Sequence, residues 1–482
     1  MGRAKILATI GPASNNEETL EEMIKAGMNA IRINMSHGSQ AEHTETINKA
    51  RKVAKKLNKP LAILVDLSGP KIRTGLLQNA KPVYLETGDE FIITAQSIEG
   101  SKRKVSTNFP DLPKHVKKGD RILLDDGAIE LTVKDVVDDD IITEVINGGL
   151  LDERKGINLP NIPLPIPSLT RKDREDLQWA MKQDVDYIAL SFVRKAEDCK
   201  EVKDLIKKLN KRKFGRPLLI AKIEKAEAIE NLDGIIANSD GLMVARGDLG
   251  VETSAELVPI YQKKIIEKAV FNDRFVITAT QMLQSMVENP HPTRAEASDV
   301  ANAVWDGTDA VMLSAETATG KYPIEAVSTM RRIIETAETI RVTKLNRLAR
   351  FDDPPTGRTS QALCKAAAIC AREKLTDKVA VFTESGLMAR RLSSVRSWLS
   401  TFALTNSEAV YNQLALIWGV EPLLHQKAST TEQMLKDGEK TLLEAKVVEK
   451  GETIVIMAGR LSGLGLSSSV VVWTIGEEIP KR

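Results

Sequence analysis

A chain of 482 residues is too long for one ordinary hydrophobic core, and about two to four domains are expected. Hydrophobic residues make up 42% and charged residues 28%, an ordinary soluble composition, and a net charge of +2 argues against nucleic acid or a membrane surface as partner. The longest apolar runs, such as Leu61–Val65 and Val470–Trp473, are strand-sized, well short of the roughly 20 residues of a membrane span.

The chain enters a strand almost at once, and no signal peptide is expected ahead of it. Strand candidates lie at Lys5–Gly11, Ala30–Ser36, Leu61–Ser68, Tyr187–Val193, Leu218–Glu224, Gly241–Ala245, Phe275–Thr280 and Ala310–Ser314. Amphipathic stretches such as Glu17–Ala26, Ala41–Leu57 and Leu257–Phe271 lie between them, so the pattern predicts a closed parallel (β/α)8 TIM barrel, residues 1–69 and 167–344. Residues 70–166 break it with β-type alternation and turn signals at Thr87-Gly88-Asp89, Asp125-Asp126-Gly127 and Asn147-Gly148-Gly149. They read as a small inserted β-barrel, closed off by a return rich in proline at Pro160, Pro163, Pro165 and Pro167. After a linker around Asp352–Gly357, strands at Val379–Thr383, Thr401–Leu404, Glu421–Leu424, Thr453–Met457 and Val470–Thr474 predict a C-terminal open α/β domain, residues 345–482. The three cysteines, Cys199, Cys364 and Cys370, are too few and odd for a disulfide framework and suit a reducing cytoplasm. Cys364 and Cys370 lie in an Ala-rich helical stretch and read as packing. The five histidines show no metal-ligand spacing.

The barrel strands carry polar groups where a core would be apolar. In Ala30–Ser36, period two sets Ile31, Ile33 and Met35 on one face and Arg32, Asn34 and Ser36 on the other. An arginine turned into the lumen needs either a salt-bridge partner or a bound anion. Asp66 with Ser68, Lys222 with Glu224, Thr278 with Thr280, and Ser314 followed by Glu316 repeat the pattern at the C-terminal ends of their strands, the end at which such barrels hold their active sites. Arg246-Gly247-Asp248-Leu249-Gly250 is either a plain loop or a turn whose N–H groups hold a carboxylate or phosphate. Asp248 with Glu224 supplies two hard oxygen ligands, enough for a Mg²⁺ that also takes substrate oxygens. Thr9-Ile10-Gly11-Pro12 reads as a plain turn and His37 in Ser36-His37-Gly38 as a structural histidine; the alternative is that their small residues let a nucleotide approach the barrel mouth.

Together these segments resemble the pyruvate kinase family over essentially the full length. The resemblance rests on TIGPAS at 9–14, IRINMSHG at 31–38, DLSGPKIRTG at 66–75, KGINLP at 155–160, SFVRKAED at 191–198, AKIE at 221–224, VARGDLGVE at 244–252, TATQMLQSM at 278–286, PTRAEASDVANAV at 292–304 and MLSAETATGKYPIEAV at 312–327. It implies phosphoryl transfer from phosphoenolpyruvate to ADP, giving pyruvate and ATP, with Mg²⁺ or Mn²⁺. It implies that Arg32 and Lys222 bind the transferring group and that Lys222 neutralises the enolate. Glu224 and Asp248 hold the metal; Gly247, Asp248 and the Thr280 hydroxyl hold the substrate carboxylate. Thr9, Pro12, Asn34, His37, Arg73 and Lys155 line the nucleotide side, with Arg73 also reaching the phosphoryl group, and Thr280 and Ser314 belong to the water network that delivers the final proton. The inserted domain acts as a lid. A barrel lyase or aldolase would share the metal carboxylates but need neither the lid nor the nucleotide side. A silent homologue would have lost Lys222, Glu224, Asp248 or Thr280, and all four are present.

The resemblance also implies a homotetramer joined across the helix at Pro292–Val304, with Arg294 near the neighbour's active site. It implies a phosphorylated activator at Thr383-Glu384-Ser385-Gly386, covered by the Gly459–Ser469 loop with Arg460; the other reading is an ordinary strand–helix turn. No further domain is expected after the third. The chain departs from the family at Ser397-Trp398-Leu399-Ser400, where a Pro-containing run is usual, and at a monovalent-cation site of Asn34, Ser36, Asp66 and the Leu67 carbonyl. Members that need K⁺ carry a threonine at Leu67 and a glutamate at Lys71. The Lys71 ammonium is therefore expected to replace K⁺, against the plainer reading that it points into solvent at the lid hinge.

Overall fold

The computed structural model describes residues 2–160, 162, 164–340, 358–374, 376–426, 430–458 and 469–477. The linker at Asp352–Gly357 and Arg460, with all of its loop but Ser469, lie outside the described residues.

Eight strands, Lys5–Thr9, Ala30–Asn34, Ala62–Asp66, Tyr187–Leu190, Leu218–Ile223, Gly241–Ala245, Phe275–Ala279 and Ala310–Leu313, pair in parallel in chain order, and the last closes on the first. Segments such as KILAT and AILVD are buried throughout, as strands covered on both faces must be. Most strands end a little before the sequence pattern suggests. Their last polar residues stand where the chain leaves the ladder, free to converge on the barrel mouth.

Alternation divides the strands between two cores. Ile31, Ile33 and Met35 pack outward on the helices, and Leu7, Leu64, Ala189, Ile220, Met243 and Ile277 fill the lumen. The lumen is therefore a packed plug with polar groups only at its upper end. Register brings those groups level, pairing Thr9 with Arg32 and Asn34 with Asp66.

The insertion forms a six-stranded sheet and a two-stranded one, with helix limited to two three-residue 3₁₀ turns. Arg73 bridges to Gly156 beside one edge of the larger sheet, and Thr74 bridges to Thr107 beside the other, so the outgoing chain closes the sheet on itself. Phe91, Ile93, Ile122, Leu124, Leu131 and Ile141 pack together in a core separate from the barrel's. At the tip of one hairpin Asp125 and Asp126 adopt φ of 50° and 54°, the left-handed turn that the Asp-Asp-Gly sequence favours.

The C-terminal strands order as Val420–Leu424, Ser400–Thr405, Lys378–Phe382, Thr453–Ala458 and Ser469–Thr474, parallel except the last. This sheet's inner core, including Cys364, Val381, Ala389 and Leu414, runs on into the lumen plug. Cys370 is partly buried against the same core. Polar ties reinforce the seam: Tyr187 OH donates to the Gln413 carbonyl at 2.5 Å and Lys5 Nζ to the Val420 carbonyl at 2.8 Å. The buried Arg396 guanidinium pairs with Asp309 at 2.9 Å and lies 4.8 Å over the Trp418 ring. In the unusual Ser397–Ser400 run, Trp398 meets Trp418 edge-on at 5.4 Å, and Arg3 donates to the Trp398 carbonyl. This run is thus held by an aromatic–cation stack, with the Arg3 guanidinium 5.4 Å over the Trp398 ring.

One carboxylate under the barrel is poorly compensated. Asp186 is buried, its Oδ2 accepts from the Ile63 N–H at 2.8 Å, and its Oδ1 has no partner. Burial, only partly opposed by Arg51, lifts its pKa from 3.8 to about 6. A raised carboxyl pKa means that the folded chain holds the proton more tightly. The resulting penalty is absent at low pH, grows as pH rises from 3.8 and is complete above about 6. Asp186→Asn is therefore expected to stabilise the protein at neutral pH by on the order of 2–3 kcal/mol. Melting curves should show that gain shrinking towards about pH 4; equal gains at both ends of the range would rule out the carboxylate as the cause.

Candidate active site

The barrel mouth is organised around Asp66, which is 1% exposed. Its Oδ2 accepts from Arg32 Nε at 2.7 Å, and its Oδ1 lies 3.3 Å from Lys222 Nζ. Burial works against the charged carboxylate, but Lys222 and Arg32 outweigh it and hold its pKa below the ordinary value. The salt-bridge alternative for Arg32 is thus realised, with the guanidinium 12% exposed at the mouth.

Lys222 Nζ also lies 2.9 Å from Glu224 Oε1 and donates to Ser191 Oγ at 2.8 Å. Burial would discharge the ammonium; Asp66 and Glu224 overcome that and push its pKa up. Glu224 Oε2 accepts from the Phe192 N–H at 2.7 Å, and burial, joined by the nearby Asp248 charge, raises its pKa. Glu224 and Asp248 thus form a repelling carboxylate pair, a donor set a divalent cation would relieve. Among the described residues no group of three or more histidine, cysteine or carboxylate side chains could hold a metal ion. Two carboxylates suit an ion that completes its shell with substrate and water oxygens.

The substrate-carboxylate candidates adjoin this pair. Gly247 N–H donates to Thr280 Oγ1 at 2.8 Å, and that hydroxyl donates to the Ala279 carbonyl at 2.6 Å. Thr280 and Gln281 hold φ of 67° and 52°, a strained conformation for side chains with a Cβ. Arg246 grips this turn, donating to the Ala279 carbonyl at 3.2 Å and the Thr280 carbonyl at 2.7 Å while pairing with Asp299 at 2.7 Å. Ser314 follows the eighth strand, and its N–H donates to the fully buried Glu316 at 2.7 Å.

Thr9 ends the first strand. It is buried under Arg32, accepting from Nη1 at 3.2 Å and donating to the Leu313 carbonyl at 2.9 Å. Pro12 and His37 are exposed in the turns above it. Although its surface is open to solvent, the protein around the His37 ring partly desolvates it, and with Arg73 and Arg32 nearby this lowers its pKa. On the inserted domain, Arg73 Nη1 donates to the Arg154 carbonyl at 3.0 Å and Lys155 pairs with Asp125 at 3.1 Å. Asn34 Oδ1 accepts from the Ser36 N–H at 3.2 Å, and the Leu67 carbonyl accepts from Ser191 Oγ at 2.7 Å.

Lys71 does not point into solvent. Its ammonium lies 3.1 Å from Asp126 on the inserted domain and 3.5 Å from Asp248 on the barrel. Burial opposes its charge, but Asp248 and Asp126 more than compensate and raise its pKa. Thr383, Glu384, Ser385 and Gly386 lie far along the chain at the end of a C-terminal strand, where Gly386 N–H donates to Thr383 Oγ1 at 3.0 Å. Ser191, Arg246 and Glu316 were not assigned roles from sequence. Ser191 at least sits just past its strand end like the residues that were.

Two family profiles match the chain: "Pyruvate kinase, barrel domain" over residues 1–327 and "Pyruvate kinase, alpha/beta domain" over residues 361–472. A pyruvate kinase of Staphylococcus haemolyticus is 43% identical, covering 100% of this chain and 82% of that protein. One of Clostridium acetobutylicum is 43% identical over 95% of this chain and 96% of its own length. A crystal structure of a pyruvate kinase from Cryptosporidium parvum superposes with a TM-score of 0.90 at 35% identity, covering 98% of this chain and 96% of that one. With the barrel, the β domain between its third and fourth strands and the C-terminal sheet all accounted for, the chain belongs to the pyruvate kinase family.

Proposed function

We propose that this site transfers the phosphoryl group of phosphoenolpyruvate to ADP, with Lys222 as the central catalytic group. The observation that carries the reading is one buried ammonium held among Asp66, Glu224 and Ser191 beside a second carboxylate, Asp248. The terminal phosphate oxygen of ADP attacks phosphorus, the bond to the enol oxygen breaks, and the enolate takes a proton at its methylene carbon. Lys222 and Arg32 face the charge on the phosphoryl oxygens, and Lys222 neutralises the enolate oxygen as it develops. Gly247, Asp248 and Thr280 orient the substrate carboxylate. Thr280 and Ser314 hold the water that delivers the proton. Thr9, Pro12, Asn34, His37, Arg73 and Lys155 line the nucleotide side, Thr9 also accepting a hydrogen bond from Arg32. Glu224 and Asp248 are the residues that would hold Mg²⁺ or Mn²⁺, which when bound supplies Lewis-acid neutralisation of substrate oxygens. The inserted domain is a lid that excludes water during transfer.

We assign three units to the chain: the barrel at 1–69 and 167–344, the lid at 70–166 and a regulatory domain at 345–482. The separate lid core supports the first boundary. A homotetramer assembled through the helix Arg294–Asp306 accords with its exposed N-terminal end, and light scattering that finds a monomer would exclude it. A phosphorylated activator at Thr383–Gly386 would shift the substrate saturation curve; sugar phosphates and nucleoside monophosphates are the compounds to try. A cytoplasmic location accords with the absence, among the described residues, of any helix long and apolar enough to cross a membrane.

Lys222→Met should leave the fold intact and lower kcat by at least about 10²–10³-fold. A variant that keeps a tenth of wild-type turnover would remove Lys222 from the mechanism. Ser191→Ala should lower kcat by about tenfold, since it takes away one hydrogen bond that aims the ammonium. Steady-state kinetics with unchanged rates in that variant would reduce Ser191 to packing. Finally, we propose that the Lys71 ammonium, 3.5 Å from Asp248, supplies fixed positive charge that takes the place of a K⁺. Near-full activity is expected without K⁺ or NH₄⁺, and Lys71→Glu should create a requirement for one of them. Tenfold stimulation of the wild type by K⁺ would overturn this.

A further inference from the structure

The short helix Arg246–Glu252 carries Gly247 and Asp248 at its start, and the inserted domain meets it along its length. At the near end Lys71, on the outgoing connection, lies 3.5 Å from Asp248. Further along, the hairpin tip comes so close that a Cβ on Gly127 would stand 3.7 Å from the Val251 side chain. At the far end Asn158 Nδ2 donates to Glu252 Oε1 at 2.9 Å. Asn158 ends the strand Ile157–Asn158 at the edge of the six-stranded sheet, where it pairs with Leu123. Its backbone thus belongs to the inserted domain while its side chain bonds to the barrel.

This last tie is buried. Asn158 is 4% exposed and Glu252 2% exposed, and Lys225 Nζ lies 2.6 Å from the same Oε1. A buried carboxylate that loses a donor is costly, so the three groups favour one arrangement. So short a helix gains little from its own hydrogen bonds, and its placement comes from tertiary contacts. Asp248 and Glu252 are four residues, about 6 Å, apart along one face. A displacement imposed at Glu252 therefore reaches Asp248 and the Gly247 N–H, which donates to Thr280 Oγ1 at 2.8 Å.

We propose that Asn158 and Glu252 are positioning residues for phosphoryl transfer, their hydrogen bond coupling the inserted domain to the seat of the substrate carboxylate. Movement of that domain over the mouth then sets Gly247 and Asp248 in place for phosphoenolpyruvate. The pair acts through the helix, and the inference rests on the assignment of Gly247, Asp248 and Thr280 to the substrate carboxylate.

Steady-state kinetics and melting curves of the full chain test it. Asn158→Leu, which removes the donor at similar volume, should raise KM for phosphoenolpyruvate about tenfold and leave KM for ADP within about twofold. Asn158→Asp sets a second carboxylate against Glu252 and should raise KM for phosphoenolpyruvate further. Adding Glu252→Gln to Asn158→Asp exchanges donor and acceptor and leaves Lys225 one carboxylate; this should return KM to within about threefold of wild type. Thr280→Val, which takes a hydroxyl from the seat itself, is the reference. If it raises KM for phosphoenolpyruvate and a folded Asn158→Leu does not, the coupling is overturned and the seat stands. If Thr280→Val changes nothing, the seat assignment falls and the coupling with it. Equal rises in both KM values with a lowered melting temperature, or an exchange variant no better than Asn158→Asp, would reduce the pair to a structural tie. If Asn158→Leu does not fold, the exchange variant against Asn158→Asp decides alone.

Discussion

Asp66 sits at the bottom of the mouth with a guanidinium on one oxygen and an ammonium near the other. A carboxylate so deeply buried would be several kcal/mol too costly if left alone, and so would each cation. Held together, and with Glu224 as the second anion beside Lys222, the charges offset one another and fix one another's positions. Arg32 and Lys222 are thereby fixed relative to one another through a shared carboxylate. The remaining mouth residues are arranged around that pair: Thr9 props Arg32, Ser191 steers Lys222, and Glu224 accepts from the Phe192 backbone.

The loops above this triad are held in unfavourable conformations by side chains further out. Thr280 and Gln281 both adopt positive φ, at a typical cost of about 1–3 kcal/mol each. Arg246 directs its donors to the carbonyls of this turn, and its pairing with Asp299 ties the turn to the helix Arg294–Asp306. Lys71 does comparable work across a larger gap, since Asp126 belongs to the inserted domain and Asp248 to the barrel. The distance between the two is thus set partly by a single side chain at the hinge.

Much of this was legible in the sequence because the signals are local. Strands buried on both faces read as Ile, Val and Ala runs, and polar residues intruding at their C-terminal ends, Arg32, Asp66 and Lys222, mark the mouth directly. Family motifs then supplied roles that spacing alone could not. What was not legible depends on approach between distant segments. Ser191 looks like any small residue after a strand until Lys222 and the Leu67 carbonyl are brought to it. The hydrogen bonds of Thr9 are equally non-local: the closing of the first strand on the eighth brings the Leu313 carbonyl to its hydroxyl, beside Arg32. The partner that Lys71 takes from the inserted domain follows from how that sheet rests on the barrel, which no local pattern encodes.

The continuity of the lumen plug with the core of the C-terminal sheet has a consequence for how the chain can be divided. The barrel's floor is apolar at its centre, where Tyr187, Phe275 and Leu218 belong to the same cluster as Leu414, Ile417 and Leu399, with polar ties such as Lys5 to the Val420 carbonyl and Arg396 to Asp309 at the seam. A fragment ending after the eighth strand and its helix would be an open-bottomed shaft, greasy at its base and prone to self-association. In this chain the C-terminal domain also serves as the stopper of the barrel, since one apolar cluster runs through both.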